Sequence, residues 1–408
     1  MPLPARIVCC AMIVALLPGA RAMRPPDELL VTPSKNQRLC SGADSAAAIP
    51  ACAAIIDART TSVSERVQAL VLRGTAYLSV GQSDAALADL DRATMLDPNS
   101  SIVWTARGNY HHAKGDDPLA MDDFNHAVTT NPRDASALLQ RGNLFLTTGD
   151  SARAIADFDK AISLDPKSPA AFANRGEAYR VGGQNDQAIE NYNQAMKLDG
   201  KFAAAWYDRG LALTAKGDFA HAIDDFSQAL KLDPKYVDVY GHRAFAYDAV
   251  GDHERAFADA SAAIKLDPDD PSAYFARGNF YTARNDLDHA IEDFTHAVMI
   301  DGNYADAYAN RATAYARKGN YARAISDYGV AIRLNPRLSS VYSNRGLALL
   351  KIGEVARAID DFDNALRADP KDALSLYNRG VAKQRQGSPS AGDADITAAR
   401  AIDPNVGN

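Results

Sequence analysis

The chain has 408 residues, 47% of them hydrophobic, and a formal net charge of −7 at pH 7. This acidic balance argues against nucleic acid or an anionic membrane surface as the main partner. A chain of this length ordinarily forms about two or three globular domains, but an internal repeat, described below, replaces that expectation.

The first 22 residues are typical of a secretory signal peptide. Arg6 supplies a positive start, residues 7–17 form an apolar run, and Ala20, Arg21 and Ala22 make a small-x-small cleavage site. A helix from so short a run cannot cross a bilayer core of about 30 Å, so an uncleaved anchor is the less favoured alternative. The sequence therefore predicts an exported protein, periplasmic or secreted, that begins at Met23.

The segment 23–66 is predicted to cap the N-terminal end of the repeats. It contains Cys40 and Cys52, an even pair that reads as a disulfide in an exported protein, with two free buried thiols as the alternative. Residues 48–58 are expected to form a short helix in the place of a second helix before the first repeat.

Arginine then recurs every 34 residues without an insertion or deletion, ten times in all: Arg73, Arg107, Arg141, Arg175, Arg209, Arg243, Arg277, Arg311, Arg345 and Arg379. A period of this size is the signature of a solenoid, in which each unit buries its apolar face against its neighbours. The sequence predicts ten such repeats over residues 67–406, forming one elongated body with a groove.

Each repeat reads as helix, tight turn, helix and stop. With position 1 at Val67, small residues recur at positions 8, 20 and 27, and aromatic residues at positions 4, 11 and 24. Glycine at position 15, with Asn285 once, predicts a left-handed turn residue, and Asp-Pro or Asn-Pro at positions 31 and 32 ends the second helix in most repeats.

This pattern resembles the tetratricopeptide repeat. The resemblance implies an all-α fold, a right-handed α-solenoid (superhelix) of ten 34-residue helix-turn-helix repeats. It also implies that the first helices line a concave face, and that the protein binds peptides or assembles complexes.

Position 7 is arginine in all ten repeats, whereas the family often has leucine there, and position 23 is aspartate in nine. Positions 7 and 23 lie eight residues on either side of the turn glycine, so they should face each other in an antiparallel hairpin. We therefore expect a structural ladder of ion pairs, for example Arg243 with Asp259 and Arg277 with Asp293, and only a neutral acceptor, Asn191, opposite Arg175. The alternative, that the arginines anchor a ligand, is less economical because a site does not need ten copies.

Positions 2, 5, 6, 9, 12 and 13 of the first helices would form an exposed stripe on the concave face. It is aromatic and acidic in repeats 5 to 7, basic in repeats 8 to 10, and carries recurrent asparagines that could bind a peptide backbone. Freely drifting solvated residues are the alternative. The candidate binding residues are Tyr207, Asp208, Asp238, Phe245, Asp248, Phe275, Asn279, Asn310, Arg317, Asn344, Lys351, Asn378 and Arg385.

No catalytic motif, phosphate-binding loop or metal-ligand spacing occurs in the sequence. We therefore expect a non-catalytic scaffold or adaptor that needs no cofactor or metal and binds a protein or peptide in the groove, within cell-envelope assembly. Three alternatives stay open: a self-assembling structural array, a binder of glycan or small ligands in an acidic central groove, and a regulatory subunit of a membrane-bound enzyme.

Overall fold

A computed structural model describes residues 34–407, and the predicted signal peptide lies outside them. Every regular element in these residues is an α-helix. In chain order they are α1 Lys35–Cys40, α2 Ser45–Asp57, α3 Val63–Ser79, α4 Ser83–Leu96, α5 Ser101–Ala113, α6 Asp117–Thr130, α7 Ala135–Thr147, α8 Ser151–Leu164, α9 Pro169–Val181, α10 Asn185–Leu198, α11 Ala203–Ala215, α12 Phe219–Leu232, α13 Val237–Ala249, α14 His253–Leu266, α15 Pro271–Ala283, α16 Leu287–Ile300, α17 Ala305–Arg317, α18 Tyr321–Leu334, α19 Ser339–Lys351, α20 Val355–Ala368, α21 Ala373–Arg385 and α22 Pro389–Ile402.

From α3 onward the helices form ten consecutive pairs, one pair for each 34-residue repeat. The predicted all-α helical-repeat solenoid is therefore confirmed. The chain divides into two compact units, one ending at Asp208 and the other beginning at Arg209 within α11. The sequence alone predicts one body, because the 34-residue period runs through this point without a change.

The two helices of a repeat meet at a glycine. Gly108 at position 8 faces the ring of Phe124 at position 24 so closely that an added Cβ would lie 2.6 Å from it. Phe124 is 1% exposed, so the ring fills the space that the missing side chain leaves. The same contact recurs in the repeats that pair glycine with an aromatic residue, and it fixes the spacing of the hairpin.

The turn between the helices needs a left-handed residue. Position 15 is glycine with φ between 75° and 90° in nine repeats, and Asn285, with φ 61°, in the other. Glycine has no Cβ to clash in this region, and asparagine tolerates it better than most residues. The turn therefore reverses the chain in the same way in every repeat.

The N-terminal cap is α1 and α2, and α2 packs against α3. A disulfide joins Cys40 to Cys52, both buried. Helix α2 begins at Ser45, before the expected residue 48, and α3 begins at Val63, inside the segment that the sequence assigns to the cap. Ser62 explains the early start of α3, because it forms a capping box with Glu65.

At the other end, α22 leaves most of its residues in contact with solvent. The tail beyond it turns back, and Val406, 6% exposed, joins Leu366, Leu376 and Ala399 in a small apolar cluster. The tail thus covers apolar side chains of the ninth and tenth repeats.

Candidate functional site

The arginines at position 7 form forked pairs with the aspartates at position 23. In each pair Nε and Nη2 of the arginine donate to the two carboxylate oxygens, at 2.6 to 3.0 Å. The structure thus brings together Arg243 with Asp259 and Arg277 with Asp293. Opposite Arg175, the amide oxygen of Asn191 accepts a single bond of 2.8 Å.

A third bond of these arginines was missed by the sequence reasoning. Nη1 of Arg379 donates to Asp363, at position 25 of the preceding repeat, at 2.6 Å. The same bond recurs to other acceptors at position 25: from Arg107 to Asp91, Arg141 to Asn125, Arg175 to Asp159, Arg243 to Ser227 and Arg311 to Thr295. A polar residue 16 positions before the next arginine was the signal in the sequence.

The ladder is therefore part of the scaffold and not a ligand site. In the Arg243 pair, 17% of the arginine side chain and 8% of the aspartate side chain are exposed. With both carboxylate oxygens and all three guanidinium nitrogens bonded, little is left for a ligand to bind.

The first-helix face, defined here as positions 5, 6, 9, 12 and 13 of the first helices, contains most of the candidate binding residues. In the first unit it contains a cluster of charged and polar groups. Arg180 donates two bonds, of 2.7 and 2.6 Å, to the carboxylate of Glu177, and the hydroxyl of Tyr192 donates to the same carboxylate at 3.1 Å. We call Glu177, Arg180, Tyr192 and Asp208 the carboxyl cluster.

Asp208 is the least satisfied member of the carboxyl cluster. Burial, and after it the charge of Glu177, raise the pKa of Asp208 to about 8, although Arg180 acts in the opposite direction. No hydrogen bond reaches its carboxyl group from any residue between 34 and 407. This carboxyl group therefore keeps its proton to a higher pH than an ordinary aspartate does. The sequence indicated Asp208 as a candidate but missed its three neighbours.

Two of the three candidate aromatic residues are not exposed as predicted. Tyr207 is 6% exposed. Phe275 is half-buried, with its ring 5.8 Å from Phe294 and 5.0 Å from Tyr304. Position 5 therefore turns its ring into the repeat. Phe245, at position 9, is 57% exposed and meets only the edge of Phe219, at 6.0 Å.

The two candidate aspartates of the second unit do not form one pocket. Asp238 and Asp248 lie ten residues apart on α13, which separates them by about 15 Å along the helix axis. Asp248 is exposed and shares a hydrogen bond of 2.7 Å with His253, and Asp238 is half-buried. The predicted acidic centre is wrong for this pair, because positions 2 and 12 lie at opposite ends of the first helix.

The asparagines at positions 6 and 9 bond to each other between repeats. Nδ2 of Asn310 donates to Oδ1 of Asn279 at 2.7 Å, and Asn174 donates to Asn143 in the same way. Asn344 is half-buried. For Asn378 the equivalent residue of the preceding repeat is Leu347, and its buried Nδ2 has no hydrogen-bond partner among the described residues.

The three basic candidates, all at position 13, are exposed. Arg317 donates to the carbonyl oxygen of Thr282 at 3.1 Å and to Oδ1 of Asn285 at 2.8 Å. Lys351 and Arg385 make no ion pair within the part of the chain that the structure describes. They are the two side chains of this row that are free to meet an anionic group.

Within residues 34–407 no three histidine, cysteine, aspartate or glutamate side chains come together as a metal site would need. Over the same residues, no helix has the length and apolar character needed to span a bilayer.

Profiles of one repeat family match most of the repeat region. Profiles described as tetratricopeptide repeat match residues 203–236, and residues 71–135, 243–308 and 343–405. A profile described as TPR repeat matches residues 142–180, 176–217 and 313–353. The chain belongs to the tetratricopeptide repeat family, as its sequence pattern predicts. This family generally comprises non-catalytic scaffolds, and its fold suggests a role in protein–protein interaction.

No curated protein matches the sequence significantly. Among solved structures, YrrB, described as a TPR protein with an unusual peptide-binding site, is 24% identical, with 45% of this chain and 95% of that chain covered and a TM-score of 0.39. The APC/C hetero-tetramer Cut9–Hcn1 is 15% identical, with 89% and 78% covered and a TM-score of 0.48. A tetratricopeptide repeat protein from Parabacteroides merdae is 21% identical, with 64% and 98% covered and a TM-score of 0.47. Identities of this size concern the fold alone.

Proposed function

We propose that this chain is a non-catalytic scaffold that binds a protein or peptide through its first-helix face, in the periplasm or outside the cell, and that it serves in cell-envelope assembly. The repeat family supports the general role. The carboxyl cluster is the main observation in favour of this face, because it raises the free energy of the unbound protein.

This free-energy cost comes from Asp208. A carboxyl group that is half-buried beside a carboxylate, without a hydrogen-bond donor, is destabilised in its charged form. A cationic group of a partner, such as a lysine side chain, would contact both Asp208 and Glu177 and allow Asp208 to ionise. Strongly perturbed groups of this kind concentrate at functional sites.

The second unit offers the opposite charge on its own first-helix face. Lys351 and Arg385 are exposed at the same position of successive repeats, which stack at about 10 Å. Such a row suits acidic side chains of a partner. The basic row is therefore a second candidate contact surface, within the second unit, for acidic groups of a partner.

Affinity capture from the native envelope fraction tests this proposal. Wild-type protein should retain a protein partner, and Asp208→Asn combined with Glu177→Gln should lose at least about 90% of it, since an ion pair of this kind contributes about 1.5 kcal/mol or more. Glu190→Gln, an exposed carboxyl-to-amide change on second helix α10 of the same repeat, is the matched control and should capture normally.

Two outcomes would contradict the proposal. Equal capture by wild type and the double variant would remove the carboxyl cluster from the interface. A wild type that captures no protein, but gains mass with concentration in sedimentation, would favour a self-assembling array. Export is tested separately, by fractionating cells that express the full chain and locating the processed protein.

A further inference from the structure

In the second unit, one arginine of the ladder lacks a side-chain partner in the preceding repeat. Where this third bond is made to a carboxylate, Nη1 of the arginine donates to Asp91, Asp159 or Asp363 at position 25, at 2.5 to 3.1 Å. Position 25 of the eighth repeat is Gly329, which has no side chain to accept the bond from Arg345. An internal acceptor is therefore missing at this place on helix α18.

The guanidinium group of Arg345 is nevertheless fixed. Its Nε and Nη2 donate to Asp361 at 2.8 and 2.7 Å, and its Cζ lies 5.9 Å from the centre of the Tyr342 ring. Its Nη1 has no acceptor within residues 34–407 and remains open to solvent. A donor is thus held in a defined direction and is free to bond to a solute.

A second guanidinium group borders the same place. Arg333 lies four residues after Gly329 on α18, is exposed, and donates from Nη1 to the carbonyl oxygen of Gly329 at 3.3 Å. A Cβ built on Gly329 would lie 3.6 Å from Nη1 of Arg345 and 3.9 Å from Nη1 of Arg333. Arg333 makes no ion pair in the part of the chain that the structure describes. Two guanidinium groups therefore border a space in which other repeats hold a carboxylate.

The ninth repeat shows what an internal carboxylate does at the same two positions. Asp363 stands at position 25 and Arg367 at position 29. Nη1 of Arg379 donates to Asp363 at 2.6 Å, and Arg367 donates instead to Asn364 at 2.7 Å. The eighth repeat has the equivalent two arginines and lacks only the acidic group, so an anion from outside the chain would complete the arrangement.

We propose that Gly329 marks an oxyanion-binding site, in which a carboxylate or phosphate group from outside the chain takes the place of the missing aspartate. One oxygen of the anion accepts from Nη1 of Arg345, and a second accepts from Arg333, whose exposed side chain is free to turn toward it. Arginine suits such anions because its planar fork of N–H donors matches two oxygens. The site uses positions 25 and 29 of α18 and position 7 of α19, so it lies outside the first-helix face and does not depend on the function proposed above.

Titration of the intact chain with sodium acetate and, separately, with sodium phosphate tests the proposal. Both titrations are made at constant ionic strength, and the side-chain Nε–H signals of isotope-labelled arginines are followed by nuclear magnetic resonance. The signals of Arg345 and Arg333 should shift and saturate, and the salt with the lower half-saturation concentration identifies the source of the anion as a carboxylate or a phosphate. No saturable shift of the Arg345 signal with either salt would overturn the proposal.

Two pairs of variants, each read from the Arg345 signal, show whether the anion binds at this place. Gly329→Asp supplies the missing carboxylate and should weaken anion binding at least about tenfold, whereas Gly302→Asp adds the same charge at an exposed, open position and should bind as wild type. Arg333→Gln should weaken binding severalfold, and Arg367→Gln, at the same position of the ninth repeat, should not. Unchanged binding in Gly329→Asp, or equal losses in the two arginine variants, would overturn the proposal.

Discussion

At the scale of single residues, the buried guanidinium–carboxylate pair decides what each hairpin tolerates. The pair is forked, and in most repeats one further bond leads to the preceding repeat. In the sixth repeat, for example, the guanidinium of Arg243 supplies two donors to the carboxylate of Asp259. The two partners differ in how well the repeat tolerates their replacement. In the fourth repeat a neutral amide takes the place of the carboxylate, and Asn191 accepts a hydrogen bond from Arg175.

We predict that Arg243→Ala lowers the free energy of unfolding by about 3–5 kcal/mol, because it leaves Asp259 buried and unpaired. Asp259→Asn should cost clearly less, since it recreates the arginine–asparagine pair of the fourth repeat. Urea unfolding followed by circular dichroism measures both values. Costs below about 1 kcal/mol for Arg243→Ala would show that the ladder is not a stabilising feature.

The carboxyl cluster gives a prediction on pH. The pKa of Asp208 is about 8 in the folded chain and 3.8 as its ordinary value. Between these values the folded state binds the extra proton, so wild-type stability should fall as pH rises from about 4 to about 8 and change no further above that. Asp208→Asn removes this dependence, and at pH 9 the variant should be more stable by about 2 kcal/mol.

Unfolding free energies of wild type and Asp208→Asn at pH 5 and pH 9 make the comparison. The difference between the two proteins isolates Asp208 from the other titrating groups. A difference that is the same at both pH values would show that the pKa of Asp208 is not raised in the folded protein.

At the scale of the helical hairpin, some glycines are required by packing and others are not, and a Gly→Ala substitution distinguishes the two kinds. Gly142 lies under Phe158, and a Cβ there would be 2.6 Å from the ring. Gly241, inside α13, has no atom within 4 Å of the place where a Cβ would stand. Packing therefore requires glycine at residue 142, whereas Gly241 only lowers the stability of its helix.

Gly142→Ala should therefore destabilise the protein by about 1–3 kcal/mol, since the Phe158 ring must move. Gly241→Ala should stabilise it by about 0.5–1 kcal/mol, because alanine restricts the unfolded chain and favours the helix. Thermal unfolding of the two variants checks both signs. Destabilisation by Gly241→Ala would mean that α13 is not a regular helix at that residue.

The hairpin could be predicted from the sequence because every repeat places the same residue type at the same level. The turn glycine fixes which positions of the two helices face each other, and this reveals the Arg–Asp pairs. Contacts between repeats were harder to predict. The Asn174–Asn143 bond joins residues 31 apart, and this offset depends on how the hairpins stack, which a single repeat does not specify.

The candidate site was harder to predict because it also depends on how the hairpins stack. Helical spacing alone placed Tyr207 and Phe275 on an exposed stripe, but Phe275 packs against Tyr304, the last residue of its repeat, just before the next repeat's first helix. Phe245 stays exposed because it meets only the edge of one ring. The carboxyl cluster combines positions 6, 9, 12 and 24 of two repeats. The repeat pattern does not show which of these positions meet, so it indicated Asp208 but not Glu177.

At the scale of the whole molecule, the chain is an all-α repeat scaffold whose function depends on which helix faces a partner. First and second helices alternate along the chain, and both have exposed side chains. Val181 and Phe245, 52% and 57% exposed, lie on first helices, and Met95 and Met299, 80% and 75% exposed, lie on second helices. Exposure alone therefore does not select the binding face, and our proposal of the first helices rests on their charged side chains and on the half-buried carboxyl group of Asp208.

Site-specific photo-cross-linking in the native envelope fraction tests this central claim most directly. A photoreactive amino acid is placed, one at a time, at Val181, Phe245, Met95 and Met299, and cross-linked proteins are identified by mass spectrometry. The account predicts that one partner is cross-linked from Val181 and Phe245 and not from the two methionine positions. Cross-linking of that partner from Met95 or Met299, with none from Val181 or Phe245, would contradict it and place the interface on the second helices.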